Sequence, residues 1–167
     1  IMNAKKNQES QYPDFQTWVW KSCDEKQIVS IDDFLKKNSE SSFYVGTDSR
    51  QTYDSCIFVT AITAYKPGRG GSVIIHRNRT ARYKTLRPRM IMEGFRTLET
   101  AWYIDKYTQA NHFDKVKMCL HVDVNESLDF ESGAYREELA GLIISQGYEV
   151  KWKPDSWAAT TVADKFT

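Results

Sequence analysis

Residues 42–78 read SFYVGTDSRQTYDSCIFVTAITAYKPGRGGSVIIHRN, and this stretch decides the fold. It contains three runs rich in β-branched and aromatic residues, SFYVGTD, CIFVTAITAY and SVIIHRN. Turn-prone RQTYDS separates the first two, and KPGRGG, with its proline and glycines, marks a hairpin between the second and third. Connections this short predict three antiparallel strands in a meander. From about Arg89 to Ala110 the pattern becomes helical. Beyond it KVKMCLHVDV reads as a strand, Ser132 to Gln146 as a helix stopped by Gly147, and YEVKW as a further strand. The closing DSWAATTVADKFT offers Asp155 or Ser156 as the cap of a last short helix. The order is β-β-β-α-β-α-β-α. A meander followed by alternating strand and helix predicts an α/β fold, a mixed sheet with the later strands parallel to the first and helices on its faces.

Upstream, Ser30 with Asp33 resembles a helix cap, and Ile31, Phe34 and Leu35 then share one face of a short helix ending near Asn38. FQTWVW has aromatic and branched residues suited to docking on a core, without a decisive period, and the first dozen residues carry no periodic apolar pattern. The expected organisation is an N-terminal extension, residues 1–30, partly flexible, and one domain over 31–167. At 167 residues and 41% hydrophobic, the chain is long enough for one buried core. Its net charge of +1 identifies no partner, so the distribution of charge must. Cys23, Cys56 and Cys119 are odd in number and form no CxxC pair, which argues against a disulfide framework or zinc knuckle and for a reducing, cytoplasmic compartment. No apolar run reaches the length of a membrane span, and IMNAKKNQES is polar, so the protein is expected to be unexported and off the membrane.

Period-two alternation puts Tyr44, Gly46 and Asp48 on one face of the first meander strand, with Asp48 at its carboxyl end. In MCLHVDVN the same rule groups Cys119, His121 and Asp123. If these parallel strands are neighbours, Asp48 and Asp123 lie side by side at the sheet edge where open α/β sheets bind ligands. Two adjacent carboxylates repel unless a cation or proton intervenes. The helix after the meander has two candidate faces. Met90, Glu93, Gly94, Thr97, Ala101 and Ile104 form one of mostly small residues, and Ile91, Phe95, Leu98 and Trp102 form a bulky one that would favour Glu99. Periodicity leaves Glu93 and Glu99 level, and both are also ordinary surface charges. Of the late acids, Asp155 is explained by capping alone, whereas Asp164 sits among Val162, Ala163 and Phe166, where a carboxylate calls for a partner.

The strand order and the placing of these acids resemble the ribonuclease H-like superfamily over about residues 40–167. GTDSR, GRGG, LRPRMIMEG, LHVDVN, GLIISQGY and KPDSWAATTVADKFT are similar, more narrowly, to the YkuK-type family of ribonuclease H-like proteins. The resemblance implies a five-stranded sheet in the order 3-2-1-4-5. It implies that Asp48, Glu93, Asp123 and Asp164 match the superfamily's metal-holding acids, and so favours Glu93 over Glu99; Asp155, by its position, is a secondary ligand if its loop folds inward. It also implies two divalent ions, Mg or Mn, and products ending in a 3′-hydroxyl and a 5′-phosphate. Ribonuclease H proper has a histidine in the loop before its last acid. This chain's histidines are His76, His112 and His121, so a proton shuttle there must differ or be absent.

Between Ser55 and Met92 there is no acidic residue, while Lys66, Arg69, Arg77, Arg79, Arg82, Lys84, Arg87 and Arg89 are all present. In a nearly neutral chain such segregation suits a phosphate backbone; Tyr65, Tyr83 and His76 lie among these residues, and the interleaved tyrosines suit stacking on the bases of a single strand. His121 reads as a core histidine, and Trp102, Trp152 and Trp157 as packing residues. The function expected is a two-metal nuclease acting on RNA, DNA or hybrid. The alternative is a non-catalytic nucleic-acid-binding module on the same fold. A nucleotide-phosphate enzyme is disfavoured because no GxxxxGK phosphate loop is present. Oligomeric state is not legible in the sequence.

Overall fold

A computed structural model describes residues 14–113, 116–122 and 130–152, together with 155, 157, 163 and 165. Among the described residues, strands β1 (Trp20–Ser22) and β2 (Ile28–Val29) precede helix α1 (Ile31–Lys37). The meander is β3 (Ser42–Gln51), β4 (Ser55–Lys66) and β5 (Gly70–Ala81). Helix α2 (Leu86–Ala110), β6 (Met118–Val122), α3 (Phe130–Ser145) and β7 (Glu149–Lys151) follow. The strands form one sheet in the order β2-β1-β5-β4-β3-β6-β7.

The expected count of five strands is corrected to seven. The meander and the two later strands keep the order 3-2-1-4-5, and β1 and β2 extend it beyond β5, with Trp20 opposite His76 and Lys21 opposite Ile75. Strands of two and three residues have no readable alternation, which is why FQTWVW gave no type. β6 runs parallel to β3 and β7 parallel to β6. Parallel neighbours need a crossover, and α2 and α3 occupy those two connections. Helix α2 starts at Leu86 and α3 at Phe130, three and two residues earlier than expected. The last short helix falls mainly on residues outside those described.

Local chemistry accounts for the boundaries. Ser30 Oγ accepts from the Asp33 amide at 3.3 Å, and α1 carries Asp32 and Asp33 in its first turn and Lys36 and Lys37 in its last, matching the helix dipole. The β4–β5 hairpin needs left-handed backbone at Gly68 (φ 78°) and Gly70 (φ 80°), which side chains disfavour. Inside, α2 lays Leu98, Ala101 and Ile104 against Phe43, Val45, Ile62, Leu120 and Val122. A Cβ on Gly94 would stand 2.5 Å from Leu139 Cδ2, so the glycine is what lets α3 approach α2 this closely. Thr97 donates to Thr47 at 3.0 Å, and Thr47 shares a 2.9 Å hydrogen bond with Thr60, so hydroxyls buried between helix and sheet satisfy one another.

The segment before α1 is also core. Phe15, Trp18 and Trp20 are buried beside Tyr103, and Trp18 stacks on His76 at 4.4 Å. His76 Nδ1 lies 2.9 Å from the Val19 carbonyl, which can only accept, so this nitrogen carries the proton. Burial pushes the His76 pKa down to about 4. The imidazole is therefore neutral and enclosed.

Candidate active site

Asp48 lies within β3 and not at its end, because β3 continues to Gln51. The carboxyl edge recognised from the sequence belongs instead to β6. Thr47 pairs with Val122, the last residue of β6, so Asp48 is the first β3 residue beyond the described end of its parallel neighbour. Asp48 is half-buried. Asp123 follows Val122 in sequence and, like Asp164, lies outside the described residues.

Helix α2 settles which glutamate faces the sheet. Glu93 is 6% exposed, in a buried stripe with Met90, Gly94, Thr97, Ala101 and Ile104. Leu98, expected on the bulky face, and Arg96, expected on neither, are buried with them. Glu99 instead lines an outer groove with Met92, Phe95 and Trp102, the last two about 40% exposed (42% and 40%). The Ser49 hydroxyl donates to Glu93 Oε1, which ties the carboxylate to β3 one residue after Asp48. Alternation puts Thr47 and Ser49 on the α2 side and Asp48 on the opposite side. The two acids thus approach the same strand from its two faces.

Sequence reasoning missed two residues beside Glu93. Ser49 is out of phase with Asp48 and so escaped a search along Asp48's face. Arg96, one helical turn beyond Glu93, is 1% exposed, lies with Cζ 4.5 Å from the Phe58 ring centroid, and donates to Asn78 Oδ1 at 3.0 Å. A charged residue in a buried stripe erases the amphipathic signal by which the stripe would be found. Cys56 sits in the same neighbourhood, where burial raises its thiol pKa and the nearby positive charge of Arg89 opposes that rise. Among the described residues, no three His, Cys, Asp or Glu side chains are grouped as a metal site. Asp155 is exposed in a turn, its amide 2.6 Å from the Trp152 carbonyl.

His121 is fully buried, with Tyr44 at 5.4 Å and Trp157 at 4.9 Å between ring centroids. Burial first, and the charge of Lys151 second, push its pKa down to about 4. It is the core histidine expected, and Trp157 packs on it.

The basic run, continuous in sequence, is divided by the hairpin. Ser42 pairs with Tyr65, so Lys66 and Arg69 lie at the end of the sheet where β3 begins, and Lys66 bonds to Glu40. Six residues of β3 separate that end from Asp48, about 20 Å. Arg77 and Arg79 lie on Asp48's face instead. The register runs Asp48–Val59–Arg77 in one row and Arg50–Ile57–Arg79 in the next. Strand spacing puts the Arg77 backbone about 10 Å from that of Asp48. Arg50, exposed and two residues from Asp48, completes a triad of arginines that the search of residues 55–92 left out. Arg82 donates to the Tyr53 carbonyl at 3.1 Å, Arg87 pairs with Glu138 at 2.5 Å, Lys84 is exposed and Arg89 half-buried. Tyr65 is exposed, whereas Tyr83 packs edge-on against Phe58.

Comparison with known proteins fits this arrangement. The family model described as Ribonuclease H-like matches residues 27–167. The chain belongs to the ribonuclease H-like family. Within that family it is similar to the protein YkuK of Bacillus subtilis (strain 168), whose printed description is "Uncharacterized protein YkuK". The two are 28% identical over 149 residues, covering 80% of this chain and 84% of YkuK. No solved structure matches. This ribonuclease H-like chain has no described helix long and apolar enough to cross a membrane.

Proposed function

We propose that this chain is a divalent-metal-dependent nuclease that hydrolyses phosphodiester bonds in RNA, DNA or a hybrid of the two. The observation that carries the reading is the Glu93 carboxylate, buried in the helix–sheet seam and held by Ser49 next to Asp48 in the chain. A carboxylate buried in a seam is costly unless it is compensated, and a divalent cation is one group that compensates it. Asp48, Glu93, Asp123 and Asp164 are the acids we assign as ligands and catalytic groups, with Asp155 secondary because its exposed turn position is explained without a metal. Carboxylate oxygens are the donors that Mg and Mn prefer. Bound there, two such ions would acidify a water and neutralise charge on the leaving oxygen. The chain's own part is to fix the carboxylates and, through Arg50, Arg77 and Arg79, to hold the phosphate backbone. Water oxygen bonds to phosphorus as the bond to the 3′-oxygen breaks, leaving a 3′-hydroxyl and a 5′-phosphate. Three free thiols, Cys23, Cys56 and Cys119, support a cytoplasmic location.

Purified protein with end-labelled RNA, DNA and hybrid duplexes is expected to cleave at least one of them with Mg or Mn and none with chelator. A non-catalytic binding module is favoured by one observation, the approach of Asp48 and Glu93 from opposite faces of β3. Tight binding of all probes without cleavage would establish that second reading.

The divided basic run gives a separate expectation. Replacing Arg77, Arg79 and Arg82 together by Ala should weaken binding and flatten the slope of log affinity against log salt by about 2–3, one contact contributing about 0.7–0.9. Replacing Lys66 and Arg69 should change the slope little for a short duplex, since they lie at the other end of the sheet and Lys66 already has Glu40. Equal slopes for both variants and the parent, measured by fluorescence anisotropy, would remove the Asp48 face as the binding face.

A further inference from the structure

A second concavity lies on the Asp48 face of the sheet, beyond Arg77. It is a cavity of about 360 Å³ lined by Val19, Lys21, Glu25, Ile75 and Arg77. Three of its five lining residues come from the segment before α1, and Val19, Lys21 and Glu25 all precede the residues that match the family model. Most of the pocket wall thus comes from residues outside that match.

Its chemistry is mixed in a definite way. Lys21 lies opposite Ile75 across the β1–β5 pairing, and Arg77 is two residues further along β5, so both cations border the same side. Val19, 47% exposed, and Ile75 supply an apolar floor. Glu25 Oε1 stands 3.9 Å from Arg77 Nη1. Glu25 is held there by a built turn. Its amide donates to the Ser22 carbonyl at 2.8 Å, the Ser22 amide to the Gln27 carbonyl at 2.9 Å, and the Lys26 amide to Asp24 Oδ1 at 3.1 Å. This turn forces Glu25 into left-handed backbone (φ 58°), a conformation that side chains disfavour and glycine adopts freely.

We propose that this pocket binds one unpaired nucleotide of the substrate strand, so that the preferred substrate carries a single-stranded segment beside the cleavage point. The proposal rests on the nuclease reading for its substrate class and deepens it. Lys21 and Arg77 take the phosphate, Val19 contacts the base above the buried Ile75, and Glu25 accepts from a base amino group. A paired base shows only its groove edges, so a whole base enters the pocket only when unpaired. Cytosine provides the amino donor that a carboxylate reads, and thymine does not. Counting strands from β3 to β1 gives about 14 Å from Asp48, roughly four nucleotides of a stacked strand.

The test is binding without metal, so that cleavage plays no part. In EDTA, anisotropy is measured on a blunt DNA duplex and on the same duplex with a six-nucleotide dC or dT tail. The parent is expected to bind the dC-tailed duplex about tenfold more tightly than the blunt one. Lys21→Gln should lose most of that ratio, and Glu25→Gly, which suits the left-handed backbone, should erase the preference for dC over dT. A tail-to-blunt ratio unchanged in Lys21→Gln, with parental melting, overturns the pocket, as does a parent indifferent to the tail. The nuclease reading is scored separately by adding Mn. Cleavage with tail-indifferent binding overturns the pocket alone, and tail preference without cleavage on any probe overturns the nuclease alone.

Discussion

Asp48→Asn is expected to lower metal-dependent cleavage by about a thousandfold or more while the melting temperature stays near the parental value. The size follows from the several kcal/mol that a metal-held site supplies to phosphoryl chemistry. The survival of the fold follows from position. Asp48 is half-buried and its backbone remains paired with Val59, so an isosteric amide leaves the β3–β4 ladder intact. Nucleic-acid affinity should hold or rise slightly, because a negative charge is removed from the row that contains Arg77. This combination separates loss of chemistry from loss of binding. Parental cleavage by a well-folded Asp48→Asn variant would take Asp48 out of the site and leave the binding-module reading in possession of this face.

The parts of this fold that the sequence displays are those whose causes are local. Ser30 caps α1 through its own neighbour Asp33, and Gly147 ends α3 with a φ of 83°, both settled within a few residues. Alternation over SFYVGTD grouped Tyr44, Gly46 and Asp48 correctly because β3 is long enough to show it. The parts that escaped are non-local. β1 and β2 exist because β5 presents an open edge to them, a fact absent from their own two or three residues. On α2 the buried stripe includes Arg96, Thr97, Thr100 and Thr108, whose polarity hides the helix's inward side from a hydrophobic count. The basic run misled for a geometric reason. Lys66 pairs with Gly70 at the hairpin end, whereas Arg77 lies seven residues further along β5, so one basic run spreads along the length of the sheet. Asp123 was placed beside Asp48 by alternation on parallel strands, whereas Asp164 joined the set through the resemblance, and both fall outside the described residues.

Glu93→Gln is expected to be the second most damaging substitution, lowering cleavage by about a hundredfold to a thousandfold and weakening Mn binding in calorimetric titration. Gln retains the volume and an oxygen able to accept from the Ser49 hydroxyl, so the seam between α2 and β3 stays packed and the loss measures the carboxylate's charge. Glu99→Gln is the internal control. Glu99 lies in the outer groove with Phe95 and Trp102, one and a half to two turns of α2 from Glu93, and should leave cleavage and Mn binding as they are. Ser49→Ala discriminates further. If Ser49 only fills the seam, its loss changes stability by the worth of one hydrogen bond, about 1 kcal/mol, and leaves Mn affinity alone. If it positions a metal-holding carboxylate, Mn affinity falls about 10–100-fold, the usual effect of removing a partner that orients a ligand. The second outcome is the one expected, because the Ser49 hydroxyl bonds directly to Glu93 Oε1. Damage by Glu99→Gln with none by Glu93→Gln would move the site to the outer face of α2.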